Sequence, residues 1–463
     1  MLNPRAVGDQ LVAFRPFVIG GGDSDGVYRA DSFICPAAIH AGLVSPRFGG
    51  CGILHRTGEQ RAFEPAERHG IASLGFDARF PSSYTLGPAP GAACRDLRWH
   101  LLAVSVPFAA ALSVLVPPTA TAAAATAFYA AFTGVFFHVA LASDPPSASD
   151  PYELVSRALA RFVPAAFIAH VLWLYVLRLS HRRAARVELT LLFQAGLWLG
   201  ALTNFTLDRL IPINRLTSRD LAQQSGARAA LAAVVLVLVA VVLVQARHLR
   251  LAGALPPMLA LYAGLGSTLS LLAAIPGTSL RIHHYLLALL LLPGCRLCTR
   301  PSLLFQGLLI GLFINGVARW GFAPIVETPS ALRGGDGLFF SDVPVLDPPP
   351  LILPSNITLS WDAPAGNTTS SIAATANAAN ATLDASSDEA LLITGISVLV
   401  NDVERHLWRG GPHAGEWTFA RPAAEKLYVR IAWTDSAGSS LDYSRAGIID
   451  TNGSWQPPPP GWS

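Results

Sequence analysis

Residues 229–246 read AALAAVVLVLVAVVLVQA and contain no charged side chain. An apolar run of about 18 residues is long enough to cross a bilayer as a helix. Because the bilayer core offers no water to the backbone, such a segment must satisfy its own hydrogen bonds, which a helix does. Its apolar character extends all round, whereas a surface helix of a soluble protein keeps one polar face. The stretch therefore predicts a membrane-spanning helix.

Similar apolar segments recur throughout residues 99–322, separated by short breaks that contain arginine or proline. The composition agrees with a membrane protein, since 52% of the 463 residues are hydrophobic, only 14% are charged, and the mean hydropathy is +0.43. We predict an α-helical transmembrane bundle of about eight helices, of which the seventh is too short to cross alone. The segments cover about 100–117, 122–142, 158–178, 188–206, 229–246, 256–275, 282–293 and 303–320.

Arginines in the loops predict the orientation of these helices. They concentrate after the third, fifth and seventh segments, and short loops that carry Lys and Arg stay in the cytosol. Alternate loops then share the cytosolic side, and an even number of segments places both chain ends on the extracytosolic side. We interpret the arginines as topology signals, and the net charge of only +3 gives no indication of a nucleic-acid partner. The loop arginines are Arg178, Arg182, Arg183, Arg186, Arg247, Arg250, Arg296 and Arg300.

The polar residues 1–98 precede the membrane block and are rich in glycine and turn residues. One helix is predicted near Asp31–Leu43, where Asp31 or Ser32 can cap its start and Gly42 can end it. Short strand-like runs surround this helix. The sequence therefore predicts a small α+β domain.

The composition changes again after the membrane block. Residues 323–350 predict a proline-rich linker, and residues 351–463 contain four strand-like runs in which apolar and polar side chains alternate. These runs predict a small antiparallel β-sandwich-like domain. Four Asn-X-Ser/Thr sequons in this part indicate a glycoprotein whose C-terminal domain is extracytosolic. The candidate glycosylation sites are Asn356, Asn367, Asn380 and Asn452.

One N-terminal stretch carries a resemblance to a known family. Residues 28–42, YRADSFICPAAIHAG, closely resemble the signature of the LCCL domain, as do Gly49-Gly50 and GIAS at 70–73. The wider chain is similar to fungal LCCL-domain membrane proteins in five further segments. These are FFHVALASDPP (136–146), RFVPAAF (161–167), FTLDRLIPINRLTSRDL (205–221), IPGTSLRIHHYLLALLLLPG (275–294) and LLFQGLLIGLFINGVARWGF (303–322).

The resemblance implies a binding module rather than an enzyme, held in a membrane among lipids. The expected ligand is a carbohydrate, a lipid or a protein, and no cofactor is expected. Candidate ligand-binding residues in the matching stretch are Asp31, Cys35, His40 and Gly42. For His40 we favour the alternative of a structural histidine satisfied inside a small domain.

The chain departs from the family pattern at two places. Family members carry an upstream membrane segment and a cysteine-containing start of the LCCL domain, so we expect a gene model truncated at its N-terminus. His69 stands where the family usually has Asn before Gly70. Disulfides are expected, and Cys35 and Cys51 could pair with each other or with cysteines upstream.

Six polar residues lie near the predicted outer face of the membrane block. A charged group at membrane depth is costly, so such residues are functional candidates by default. Histidines with carboxylates suit a transition metal, which keeps a second class open, namely a membrane-embedded metal-dependent enzyme or transporter. We favour the alternative of interhelical hydrogen bonds and an Arg281–Asp208 pair. The cluster comprises His138, Asp144, Asp208, Arg281, His283 and His284.

Overall fold

The structure is a computed structural model, and it describes the chain in stretches separated by gaps. The described residues are 5–7, 10–12, 19–30, 32–46, 48–80, 82–89, 98–116, 121–142, 151–207, 226–328, 343–363, 393–411, 413–422, 425–435, 438 and 440–459.

Backbone contacts divide the chain into two units, and each is described by itself. The first comprises Met1–Asp96, Asn214–Gln224 and Ser330–Ser463. The second comprises Leu97–Ile213 and Ser225–Pro329. The two polar parts that the sequence separates by more than 200 residues therefore belong to one unit, and the apolar helices form the other.

The N-terminal part combines one short helix with small antiparallel sheets. Its main sheet has the strand order β3-β9-β4, and two-stranded pairs β1-β2, β5-β8 and β6-β7 surround it. A small core of Ile19, Tyr28, Ala37 and Tyr84 lies between the helix and this sheet. The elements are β1 (Arg5–Val7), β2 (Gln10–Val12), β3 (Val27–Arg29), α1 (Ile34–His40), β4 (Gly52–Thr57), β5 (Gln60–Phe63), β6 (Glu67–Arg68), β7 (Ile71–Ala72), β8 (Phe76–Phe80) and β9 (Ser83–Pro88).

Helix α1 begins without the predicted side-chain cap. Its N-cap residue is Phe33, which makes no capping hydrogen bond, and the Ser32 hydroxyl accepts a hydrogen bond from Gly20 N at 2.8 Å instead. The predicted end is confirmed, because Gly42 has φ +77° and the amides of Gly42 and Leu43 donate back to the last turn. This pattern is a Schellman motif, which favours glycine at the left-handed position.

The second unit has a helix at each of the eight predicted positions. Six of these helices are long and apolar enough to cross a membrane in the described part of the chain. The fourth predicted segment is interrupted near residue 202, and the seventh is short. The elements are α2 (Arg98–Leu115), α3 (Thr121–Ala142), α4 (Pro151–Leu172), a π-helix (Trp173–Leu177), α5 (Arg178–Arg183), α6 (Arg186–Glu188), a second π-helix (Leu189–Gln194), α7 (Ala195–Ala201), a 3-10 turn (Thr203–Phe205), α8 (Ala227–Leu251), α9 (Leu255–Ala273), β10 (Ser279–Leu280), α10 (His284–Leu291), a 3-10 turn (Leu292–Cys295), α11 (Arg300–Trp320) and β11 (Val326–Glu327).

Helix α11 is the most buried of these helices, and it packs backbone to backbone against α7. Glycines spaced four apart make this possible on both helices: a Cβ built on Gly311 would lie 2.1 Å from Leu197 O, and one on Gly200 would lie 2.1 Å from Leu308 O. Gly196 and Gly307 are similarly close to the facing backbone. Small residues at this spacing allow membrane helices to approach closely, where van der Waals contact replaces the missing hydrophobic drive.

The C-terminal part is rich in strands, which form two antiparallel sheets. The strand orders are β12-β13-β16 and β15-β14-β17-β18-β19. Buried side chains of both sheets, among them Trp361 and Ile396, form one apolar cluster. A two-residue turn of Asn401 and Asp402, both with positive φ, joins β14 to β15, as in a type I′ hairpin. The strands are β12 (Leu351–Ile352), β13 (Asn356–Trp361), β14 (Ile393–Val400), β15 (Val403–Trp408), β16 (Gly415–Ala420), β17 (Leu427–Asp435), β18 (Gly447–Ile449) and β19 (Trp455–Gln456).

Candidate functional site

His40 occupies the centre of the N-terminal module. Its side chain is fully buried, and both ring nitrogens have partners: Tyr28 Oη lies 2.8 Å from Nδ1, and Ala66 O lies 3.2 Å from Nε2. A carbonyl oxygen only accepts, so Nε2 donates to Ala66 and Nδ1 accepts the Tyr28 hydroxyl proton. Both ring nitrogens are therefore used inside the protein, and this set of hydrogen bonds suits the neutral imidazole. This arrangement agrees with the structural alternative, and a ligand role for His40 stays a prediction.

Burial sets the ionisation of this pair. Desolvation lowers the pKa of His40, an effect larger than the opposing hydrogen bond to Ala66 O. Desolvation also raises the pKa of Tyr28, against the smaller effect of the Arg68 charge. Both shifts favour the neutral forms, which are the forms that the hydrogen bonds require. The ring of Tyr28 also stacks on Tyr84, with centroids 5.7 Å apart.

The His69 ring packs closely against Gly42 at the end of α1. His69 Nδ1 donates to His40 O at 2.9 Å, and a Cβ on Gly42 would lie 2.6 Å from the His69 ring. His69 has φ +51°, a left-handed conformation that Asn, Asp and His adopt more readily than most residues. The departure from the family's Asn is thus compatible with the backbone that the position requires.

Two ligand-binding candidates remain, Cys35 and Asp31. Cys35 lies in the first turn of α1 and is exposed. Asp31 lies outside the described residues. The disulfides and the ligand contacts of this stretch therefore stay predictions.

The surface of the module carries several large apolar side chains. Ile34 on α1, Phe48 in the following loop, and Ile53 and Leu54 on β4 are all exposed. Strand β4 is an edge of its sheet, so its outer side has backbone groups available for pairing. Sequence reasoning did not single out Ile53 and Leu54, because an apolar residue in a strand pattern is normally assigned to the core.

Arg281 forms an ion pair with Glu327, which lies 46 residues further along the chain. Its guanidinium lies 2.9 Å from a carboxylate oxygen of Glu327, and its backbone amide donates to Ile325 O. His283 Nε2 donates to Pro324 O at 3.0 Å, beside the short β10-β11 ladder. These contacts fasten the segment before α10 to the segment after α11. Asp208 lies outside the described residues, so its predicted pair with Arg281 stays a prediction.

The other cluster members lie on different helices. His138 on α3 contacts Ser105 Oγ at 3.3 Å and the Trp198 ring, and His284 contacts the Trp320 ring. Asp144 lies outside the described residues. In the stretches that the structure describes, no group of three or more His, Cys, Asp or Glu side chains is arranged to hold a metal ion.

Two of the four sequons can be located. Asn356 opens β13 and Asn452 lies in the turn before β19, and both are exposed. Asn452 Oδ1 accepts a hydrogen bond from Ser454 N at 2.8 Å. Asn367 and Asn380 lie outside the described residues.

Within the first unit, an ion pair links the N-terminal module to the C-terminal strands. Lys426 Nζ lies 2.7 Å from Glu59 Oε2, and each side chain is less than a quarter exposed. The two residues are 367 positions apart, so no local sequence signal indicates the pair.

Comparisons with known proteins agree with this architecture. Residues 8–83 match the LCCL domain family. Over 501 aligned residues the chain is 32% identical to Uncharacterized protein YIL067C of Saccharomyces cerevisiae, covering 99% of this chain and 69% of that protein. No protein of solved structure matches significantly. With an LCCL domain and six helices able to cross a membrane, the chain belongs to the fungal LCCL-domain multi-pass membrane proteins.

Proposed function

We propose that this protein holds an extracytosolic binding module at a membrane through its helical bundle. The observation that carries the proposal is the LCCL match at residues 8–83 in a chain with six membrane-length helices. The module recognises a carbohydrate, a lipid or a protein ligand. We propose that the two C-terminal sheets, which share one apolar cluster, pack as a β-sandwich-like domain.

The first unit supports display of both polar parts on the same side of the membrane. The ion pair of Glu59 and Lys426 requires that the two parts meet after synthesis, which a membrane between them would prevent. The alternating arginine loops favour the extracytosolic side for that unit. The exposed sequons at Asn356 and Asn452 are compatible with glycans there.

The ligand surface that we propose is the outer edge of strand β4, where Ile53 and Leu54 are exposed on opposite faces of the sheet. An exposed apolar side chain can contact a ligand, and an edge strand adds backbone donors and acceptors beside it. The buried His40 then shapes the module without touching the ligand. This division of roles explains why a histidine in the most characteristic stretch is fully enclosed.

Binding of full-length protein in lipid nanodiscs tests the proposal. The probes are a glycan array, liposomes of phosphatidylcholine with phosphatidylserine, and cell-wall extracts. We expect Ile53→Glu with Leu54→Glu to abolish binding to the probe that wild type recognises. Val403→Glu, at an equally exposed edge-strand position outside the module, should leave it unchanged. Equal binding by both variants, or no binding by wild type to any probe, would contradict the proposal.

We propose that the polar cluster is a structural latch and not the site of a metal-dependent enzyme or transporter. Described members of the polar cluster already have protein partners, since Arg281 pairs with Glu327 and His283 donates to Pro324 O. These contacts are those of a structural latch.

A further inference from the structure

Buried hydrogen bonds join several helix ends at one end of the helical unit. Ser180 Oγ lies 2.9 Å from Gln306 Oε1, and Gln306 Nε2 donates to Cys295 O at 2.6 Å. Ser302 Oγ lies 2.9 Å from Gln245 Oε1. These side chains are buried, so breaking their hydrogen bonds is costly. The bonds therefore hold α5, the end of α8 and the start of α11 together.

This end of the unit carries eight exposed arginines, and we call it the arginine end. It comprises residues 178–188, 245–251 and 292–302, in which the one acidic residue is Glu188. Glu188 pairs with Arg300 at 2.8 Å. In the described part of the chain, the other seven arginines form no ion pair. The eight are Arg178, Arg182, Arg183, Arg186, Arg247, Arg250, Arg296 and Arg300.

Positive charges from two distant parts of the chain gather around Cys298. Cys298 Sγ lies 3.7 Å from Ser180 O, which brings the loop before α11 onto α5. Burial raises the pKa of the Cys298 thiol, and the nearby charge of Arg183 opposes that rise. Arg296 and Arg300 lie two residues before and two residues after Cys298. Arg183 and the loop arginines therefore belong to one surface.

The helix ends place this surface at the level of the lipid head groups. The membrane-length helices Tyr152–Arg183 and Arg228–Leu251 end here, and Arg300–Trp320 begins here. Beyond the apolar part of a spanning helix, side chains meet the head groups of the lipids. Orientation in the membrane requires only that each cytosolic loop carry positive charge. The hydrogen-bonded helix ends do more, because they hold the charges of three loops on one scaffold.

We propose that the arginine end binds a membrane lipid whose head group carries several phosphates, such as phosphatidylinositol bisphosphate. A guanidinium group binds phosphate oxygens through two parallel hydrogen bonds. Seven arginines without an acidic partner among the described residues favour a head group with several negative charges over one with a single charge. Basic surfaces between membrane helices on the cytosolic side bind such head groups. This site is separate from the extracytosolic module and goes beyond the function proposed above.

Native mass spectrometry of the full-length protein tests the site, because it counts the lipids bound to each molecule. Protein in detergent is mixed with equal concentrations of phosphatidylinositol bisphosphate or of phosphatidylcholine with the same acyl chains. The bisphosphate lipid should bind at least about tenfold more tightly, because each arginine near the head group contributes about fivefold in affinity. Soluble inositol trisphosphate should bind at least about tenfold less tightly than the lipid, since it lacks acyl chains. These measurements do not depend on the orientation of the protein in the cell.

Charge-matched variants connect the binding to the arginines. Arg183→Gln with Arg296→Gln should weaken binding of the bisphosphate lipid about 25-fold, from about fivefold for each arginine. Arg183→Lys with Arg296→Lys keeps the charge but loses the paired hydrogen bonds, so its affinity should lie between those of wild type and the glutamine variant. The control Arg157→Gln with Arg228→Gln removes the same charge near the starts of α4 and α8, and should bind as wild type does.

Three results would overturn the proposal. The first is equal binding of the bisphosphate lipid and phosphatidylcholine by wild type. The second is an equal effect, or no effect, of the glutamine variant and its control. The third is binding of soluble inositol trisphosphate as tight as that of the lipid, which would identify a soluble ligand instead. All four substituted arginines are exposed, so we expect the variants to keep the wild-type melting temperature.

Discussion

The contact between α7 and α11 makes the sharpest stability prediction. In Gly311→Ala the new Cβ would lie 2.1 Å from Leu197 O and 2.6 Å from Ala201 N. Both atoms belong to the α7 backbone, so no side chain can rotate away. The helices must separate by about 0.9 Å to restore even a 3.0 Å contact. A gap of 0.5–1 Å already removes roughly a quarter to a half of each dispersion contact along the seam.

We expect Gly311→Ala to destabilise the protein by about 1–3 kcal/mol, the usual cost of forcing extra volume into a packed interior. For a unit of this size that corresponds to a melting temperature lower by roughly 2–10 °C. The matched control is Gly266→Ala on α9, where the added Cβ meets nothing within 4 Å. Alanine is the better helix former by roughly 0.5–1 kcal/mol, so the control should melt at or slightly above the wild-type temperature.

The assay is thermal unfolding of purified full-length protein in detergent, followed by fluorescence-detected size exclusion. Equal melting temperatures for Gly311→Ala and Gly266→Ala would refute the backbone-to-backbone contact. A lower melting temperature for both variants would show that alanine is generally harmful in these helices. That result would contradict the assignment of the effect to the short distance between the Gly311 Cβ and the α7 backbone.

Three further outcomes are expected, the first being that protonation of His40 weakens the N-terminal module. Because burial lowers its pKa below the usual 6.5, the stability that it contributes is complete above about pH 6.5 and falls as the pH drops through the folded pKa. The hydrogen-exchange protection of the α1 peptide, corrected for the intrinsic pH dependence of amide exchange, should therefore fall between pH 7 and 5, and this fall should be smaller in His40→Phe. Tyr28→Phe leaves His40 Nδ1 buried without its donor, so the same peptide should exchange faster at every pH, corresponding to about 1–3 kcal/mol. Lys426→Glu should weaken the association of the two polar parts by about 0.5–1 kcal/mol, seen as faster cleavage in limited proteolysis. Adding Glu59→Lys should restore the resistance to cleavage, and a double variant without restored resistance would contradict the ion pair.

Sequence reasoning located the regular elements because their signals are local. The apolar stretch at 229–246 lies inside α8, and the run at 356–361 coincides with β13. Gly42 ended α1 as predicted, since a left-handed position needs glycine whatever surrounds it. The start of α1 was predicted wrongly for Ser32, because that hydroxyl bonds the distant Gly20 amide, a tertiary contact that capping rules do not contain.

The features missed by sequence reasoning depend on pairs distant in the chain. The glycines of α7 and α11 follow a GxxxG spacing that could have been recognised, although the facing helix could not. Glu327 reaches Arg281 because β11, which follows α11, pairs with β10. His181 was counted within an arginine-rich loop, whereas α5 extends the helix through it and buries its ring. The predicted boundaries at 98, 322 and 350 stay predictions.

Glycan mapping tests the central claim, display of the binding module on the extracytosolic side, most directly. Full-length protein from a eukaryotic host is treated with an N-glycosidase, and occupancy at Asn356, Asn367, Asn380 and Asn452 is read by mass spectrometry. We expect a glycan at the exposed Asn356 or Asn452 and a mass shift that disappears when all four asparagines are changed to Gln. Unmodified asparagines at all four sites, together with a C-terminal domain protected from protease in intact cells, would contradict it.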